Sequence, residues 1–188
     1  MKRKGAIQLQ IPTGILPAIR RMKDFEEALQ TTSKYVIFLE TKLSQLTQLV
    51  RHARRCRKKV LIHFDLIQGL KADEHGMEFL IHVIKPDGVL STRGNVIQLA
   101  KKHHLLAIQR MFLLDSLALK NNIKLVKRSQ PDCIEVLPGL VPTMIQMVQK
   151  ETGLPIIAGG LIRQQEDITT ALKAGAIAVS TSERHLWQ

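Results

Sequence analysis

Short apolar or β-branched runs recur along the chain at Ala18–Met22, Tyr35–Leu39, Val60–Phe64, Gly88–Ser91, Leu106–Gln109, Cys133–Leu137, Pro155–Ala158 and Ala176–Val179. Each has the length of a strand, and the mostly apolar content suits one buried in a parallel sheet. Between them lie stretches with apolar residues at three- and four-residue spacing: DFEEALQ, TKLSQLTQLVRHARR, MEFLIHVI, NVIQLAKKH, SLALKNNIKLVKRS, PTMIQMVQKE and EDITTALKAG. Strict alternation of strand and helix implies parallel strands with the helices outside. Eight such units predict an α/β fold, a compact (β/α)8 barrel of TIM type, formed as a single domain over residues 1–188. That length is below the roughly 200–250 residues usual for the barrel, so the loops must be short. A doubly wound open sheet is the alternative, but no GxGxxG follows the first run.

In such a barrel the working face is the C-terminal end of the strands, and the polar residues fall there. The third run ends in LIHFDLIQGL, with His63 and Asp65 two apart and therefore on one side of a pleat. The fourth ends in Ser91, Thr92 and Arg93, the fifth in Gln109 and Arg110, and the sixth carries Glu135 just before Leu137, Pro138 and Gly139. The last two runs supply Gly159, Gly160, Ser180, Thr181 and Ser182. Two glycines beside three hydroxyls offer close-approaching N–H groups and O–H donors, which is the chemistry of a small anion pocket. Charged residues rarely end consecutive buried strands for structural reasons alone. Plainer roles are open to each. Asp65 suits a structural ion pair with Arg93 or Arg110, His63 suits packing, and Gly159-Gly160 suits a tight turn. Ser180 to Ser182 would suit the N-cap of a last short helix, SERHLW, a position that also binds phosphate in barrels of this kind.

Charge changes the picture next. Lys and Arg number 28 against 16 Asp and Glu, a net charge of +12, and such an excess points to a polyanionic partner. The densest run is RHARRCRKK, with Arg51, Arg54, Arg55 and Lys58 on one helical face and Arg57 and Lys59 beside them. Lys101 and Lys102 form a second candidate cluster next to His103 and His104. A solvated helix face is the plain alternative for both. Aromatic residues make up only 4%, so nucleic-acid contact is expected through phosphates, not by stacking on bases. No stretch approaches the ~20 apolar residues needed to cross a bilayer, and MKRKGAIQLQIPTG has no apolar run of the secretory kind. Cys56 and Cys133 without a CxxC indicate neither a disulfide framework nor a zinc site. No membrane partner, no metal and a reducing cytoplasm are the expectations.

KVLIHFDLIQGL, GVLSTRGNVIQLAKKHHLLAIQRMFLLDS, PDCIEVLPG and LPIIAGGLIRQQEDITTALKAGAIAVSTSERHLW together resemble the glycerol uptake operon antiterminator family, from about Pro17 to Trp187. The phosphate-type end is common to many barrels, whereas IQRMFLLDS followed by IEVLPG is more specific. The resemblance implies a (β/α)8 regulator without a cofactor. Its effector would be glycerol 3-phosphate, and it would bind leader mRNA to let transcription pass a terminator; a homo-oligomer is compatible with it. It implies a ligand phosphate near Gly159, Gly160, Ser180 and Thr181, and a polar mouth at Asp65, Arg93, Arg110 and Glu135. The family pattern has Glu where this chain has Gln68 and Lys where it has Arg93, and Arg and Lys are not equivalent donors. The rival class is a barrel enzyme acting on a small phosphorylated substrate, with Asp65 or Glu135 as general base and His63 assisting. A third is an inactive scaffold that assembles with another protein. The basic excess is what an RNA-binding regulator needs and an enzyme does not.

Overall fold

The computed structural model describes residues 10–188, so most of the N-terminal stretch read for a leader, with Lys2, Arg3 and Lys4, lies outside the described residues. The strands are β1 (Gly14–Ile19), β2 (Tyr35–Phe38), β3 (Lys59–His63), β4 (Gly88–Ser91), β5 (Leu106–Phe112), β6 (Cys133–Leu137), β7 (Ile156–Gly159) and β8 (Ala178–Thr181). They pair in parallel, each with its neighbour in the chain, and β1 also pairs with β8, so the sheet closes into a barrel. The helices are α1 (Phe25–Gln30), α2 (Leu43–Arg55), α3 (Glu74–Phe79), α4 (Gly94–Lys102), α5 (Ser116–Ser129), α6 (Pro142–Thr152) and α7 (Gln165–Lys173). A π-helical turn, Leu80–Ile84, continues α3, and a single 3-10 turn, Arg184–Leu186, stands where an eighth helix would be.

The strands read as largely apolar runs, with polar residues gathered near their C-terminal ends, because both of their faces are buried. Leu16, Ile37, Leu61, Leu90, Ile108, Cys133, Ile157 and Ala178 fill the barrel interior. The alternate residues face the helices: Val36, Val60, Ile62 and Val89 pack with Leu46, Val50 and Met77. On the other side Ile134, Val136, Ile156 and Val179 pack with Val126, Ile145 and Ile168. The loops leaving β2 and β3 are braced by a small parallel pair, Thr41–Lys42 with Ile67–Gln68.

Strand limits differ from the sequence pattern in ways that matter for the site. The first strand runs from Gly14 to Ile19, four residues ahead of the expected Ala18–Met22. Pro17 inside it argues against a strand by pattern, yet pairing with β2 begins only at Ala18 with Ile37, so Pro17 needs no N–H on that side. The fifth strand extends to Phe112 because Arg110, Met111 and Phe112 pair with Glu135, Val136 and Leu137. The eighth holds Ser180 and Thr181 within the strand, not after it.

Gln109, expected at the mouth, faces the helices instead. Its neighbours Ile108 and Arg110 take the inward positions, so Gln109 points out. It is fully buried, donates to the Ser91 carbonyl at 3.1 Å and accepts from the Ser129 hydroxyl at 3.0 Å, tying β5 to β4 and α5. Replacing Gln109 by Leu removes both bonds and takes from the Ser129 hydroxyl its acceptor inside the protein. Denaturant titration should then find the variant less stable by about 2–3 kcal/mol.

Candidate functional site

A cavity of about 290 Å³ opens at the C-terminal ends of the strands, lined among others by Arg110, Glu135, Gly160, Ser180, Thr181 and Ser182. Glu135 is its floor. Only 2% of this residue is exposed, and its Oε1 accepts from the Ser180 hydroxyl at 2.6 Å. Its Oε2 lies 3.4 Å from Arg110 Nε, yet neither atom has a hydrogen-bond partner, so the two charges are close without being aligned. Gly159 explains how a carboxylate fits there: a Cβ at this position would stand 2.6 Å from Ser180 Oγ and 2.8 Å from Glu135 Oε1. The glycine makes room for the buried pair.

The next two residues leave the sheet in left-handed conformations, Gly160 at φ +75° and Leu161 at φ +62°. Among the described residues no backbone carbonyl accepts from the N–H of Gly160 or of Ser182. Thr181, by contrast, is used within the fold. Its hydroxyl donates to the Ile162 carbonyl at 2.9 Å and accepts from the Glu183 N–H at 3.1 Å. The final turn has Glu183 as its first flanking residue and no side-chain cap, so Ser180 to Ser182 do not cap it. Trp187 holds the segment down by donating to the Thr181 carbonyl at 2.8 Å.

His63, Asp65 and Arg93 occupy the other side of the mouth and do not line this cavity. His63 and Asp65 do not share one side of a pleat, because β3 ends at His63 and the chain turns through a 3-10 segment, Phe64–Leu66. Asp65 accepts from Ser91 Oγ at 2.7 Å, from the Thr92 N–H at 2.7 Å and from the Thr92 hydroxyl at 3.0 Å. Arg93 stands 3.7 Å away as its ion partner, the plain structural role. His63 points into the barrel, 4% exposed, with Nδ1 unpartnered. Burial, and then the charge of Arg110, pull its pKa down to about 4. Arg20, at the end of β1, and Arg163, after β7, also line the cavity. Neither follows from the sequence pattern, Arg20 because the apolar run expected at Ala18–Met22 passes through it, whereas β1 ends at Ile19.

The basic run divides in the same way. Helix α2 ends at Arg55 and the chain reverses at Arg57, so Lys58 is not on the helical face with Arg51, Arg54 and Arg55. Lys58 is only 8% exposed, its ammonium donates to the carbonyls of Thr31 and Ser33, and burial lowers its pKa. Lys59 sits beside the Tyr35 hydroxyl at 3.4 Å. Arg54 donates to the Lys85 carbonyl, and Lys101 pairs with Asp132 at 2.5 Å. Arg51, Arg55, Arg57 and Lys102 remain exposed. Among the described residues no group of three His, Cys, Asp or Glu is placed to hold a metal ion, and no helix is long and apolar enough to cross a membrane.

A family model described as glycerol-3-phosphate responsive antiterminator matches residues 15–187. The glycerol uptake operon antiterminator regulatory protein of Listeria monocytogenes superposes with a TM-score of 0.90 at 46% identity, over 93% of this chain and 94% of that one. A glycerol uptake operon antiterminator-related protein of Thermotoga maritima gives a TM-score of 0.84 at 29% identity, over 94% and 99%. The uncharacterized protein YgcP of Escherichia coli K12 is 31% identical over 173 residues, 92% of this chain and 91% of its own length.

The depressed pKa of His63 makes stability depend on pH. Between its usual 6.5 and about 4 the unfolded chain binds a proton that the folded one does not. The stabilisation is therefore complete above pH 6.5 and is lost as the pH falls. Denaturant titrations should show a loss approaching 3 kcal/mol, roughly 1.4 kcal/mol per pH unit, from this group, and His63→Leu should flatten that part of the curve.

Proposed function

Because the chain belongs to the glycerol-3-phosphate responsive antiterminator family, we propose that it is a regulator gated by glycerol 3-phosphate. On this reading it forms a single domain over residues 1–188, works in the cytoplasm without a cofactor, binds leader mRNA and lets transcription of glycerol uptake genes pass a terminator. The observation that carries the ligand half is the composition of one cavity. At one end it offers the N–H groups of Gly160 and Ser182 and the exposed Ser182 hydroxyl, with Arg20 and Arg163 nearby. In its floor lie the unpaired Oε2 of Glu135 and Nε of Arg110, both buried, so a ligand must shift the Arg110 side chain to reach them.

The first set suits a phosphate, because left-handed backbone after a strand turns N–H groups outward and adjacent guanidinium groups add charge. The second suits a hydroxyl, which donates to the carboxylate and accepts from the guanidinium at once. A three-carbon polyol phosphate presents both ends, and about 290 Å³ lies at the small end of ligand cavities. Gly159 and Ser180 hold Glu135 in place, Thr181 fixes the loop after β7, and His63, Asp65 and Arg93 stand on the other side of the mouth, outside the cavity. The arrangement favours binding over proton transfer. One Glu135 oxygen is held by Ser180, a guanidinium lies 3.4 Å from the other, and His63 does not line the cavity.

Thermal melting tests the reading. A ligand at a hundredfold excess over its Kd stabilises the folded state by about 2.7 kcal/mol, which raises Tm by roughly 5–10 °C in a chain of this size. Glycerol 3-phosphate should produce that rise and glycerol should not. Ser182→Asp, which sets a carboxylate at the anion end without touching the core, should remove it. Equal shifts from glycerol and its phosphate would sink the phosphate assignment, and conversion of glycerol 3-phosphate to a product would favour an enzyme.

A further inference from the structure

The turns that return the chain from each of helices α2 to α7 to the next strand share one backbone device and fill it with three basic residues, one glutamine and two glycines. Each contains a left-handed residue: Arg57 (φ 60°), Lys85 (φ 58°), His104 (φ 59°), Gln130 (φ 52°), Gly153 (φ 69°) and Gly175 (φ 103°), in chain order after α2 to α7. This conformation favours glycine, because the Cβ of any other residue crowds the neighbouring carbonyl. At Gly153 a Cβ would meet nothing within 4 Å, so the backbone alone accounts for that glycine. The first three turns keep Arg, Lys and His at the same conformation. All three side chains are exposed. Their backbone N–H groups close the helix ends, on the carbonyls of Arg54, Leu80 and Lys101, but among the described residues none of the three side chains forms a hydrogen bond or ion pair, so the choice of a basic side chain is not explained by a contact within the fold.

These turns lead into β3, β4 and β5, which are neighbours in the ring. They touch one another: Arg54 donates to the Lys85 carbonyl, and the rings of His82 and His103 stand edge to face at 6.3 Å. The charge follows the same arc. Residues 51–130 hold 16 Lys and Arg against 6 Asp and Glu, whereas residues 131–188 hold 4 against 6. The acids at this end of the strands are turned inward. Asp87 accepts from the Val60 N–H and Asp132 from the Ala107 N–H, each at 2.9 Å. Arg55, Lys102, Lys127 and Arg128 surround the arc and are exposed. Cations at helix C-termini are favoured by the macrodipole in any case. Helices α6 and α7 have the same dipole, however, and return through glycine with one Lys each in their last turns.

We propose that this arc, centred on Arg57, Lys85 and His104, is the surface that holds RNA by its phosphates. The proposal rests on the reading of the chain as an RNA-binding regulator and names the face that does the binding. Strained positions kept basic without an internal partner point to an external anion. No Phe, Tyr or Trp accompanies them in these turns, so the contact is electrostatic and not a stacking platform. The arc is at the opposite end of the barrel from the ligand cavity, and effector and RNA do not compete for it.

The double variant Arg57→Gly/Lys85→Gly tests this without relying on a damaged fold, because glycine relieves both strained positions while removing both charges. Tm should hold or rise by about 2–4 °C. For single-stranded leader RNA the slope of log K against log salt should become shallower by about 1.4, some 0.7 for each lost phosphate contact. Lys150→Gln/Lys173→Gln removes the same charge beside the glycine turns and should leave the slope as it was. Wild-type affinity and slope in the glycine variant, an equal loss in the glutamine control, or a fall in Tm on relieving the turns would each overturn the assignment. Wild-type protein that ignores leader RNA at every salt concentration would overturn the RNA reading itself, and this face with it.

Discussion

Closing eight parallel strands into a ring gives the protein two chemically different ends. Every strand runs the same way, so every strand C-terminus opens at the mouth and every helix returns at the base. The interior shows the consequence strand by strand. Leu61, Ile108, Cys133 and Ala178 are buried in an apolar layer, and two residues further along the same strands come His63, Arg110, Glu135 and Ser180. The pleat stacks a polar layer on an apolar one. Groups that would be costly in the middle of the barrel are confined to the end where a ligand or water can reach them.

Within that polar layer the side chains depend on one another. Glu135 is tolerable at 2% exposure because Ser180 donates to it, Arg110 lies 3.4 Å away and Gly159 has no side chain in the way. The same Arg110 charge helps to keep His63 neutral, so adding one carboxylate partner and adding a second cation are not independent choices. What remains unpaired is one acceptor on Glu135 and one donor on Arg110. Buried polar atoms are rarely left so, and a buried pair of opposite kind in the floor of a cavity is what a hydroxyl of the proposed ligand would satisfy on reaching them.

Much of the fold was legible because a strand buried on both faces and a helix buried on one have different periods. The pattern broke down where local geometry overrides period. Pro17 hid the start of β1, and with it the position of Arg20 at the mouth. Asp65 left the pleat because a 3-10 turn begins at Phe64. Gln109 looked like a strand end because the sequence does not reveal that β5 continues to Phe112, which places Gln109 against Ser129. Lys58 looked like a helix-face cation because helical spacing was carried past Arg55, where the helix stops. At the candidate site the types of residue were readable. Which hydroxyl is free and which is consumed, as for Ser182 against Thr181, depends on partners far apart in the chain.

The two ends of the barrel have one strand with chemistry at both of its termini. Strand β5 begins beyond the turn at His104 and carries Arg110 at the cavity, roughly 20 Å away at the rise of an extended chain. Between those points Gln109 fastens it outward to Ser129, the last residue of α5, next to Lys127 and Arg128. A close-packed interior transmits displacement instead of absorbing it. On the proposed function, an effector that moves Arg110 to complete its own hydrogen bonds would act on the strand and helix that carry part of the basic arc. By linkage, whatever the arc binds acts back on the cavity with the same free energy.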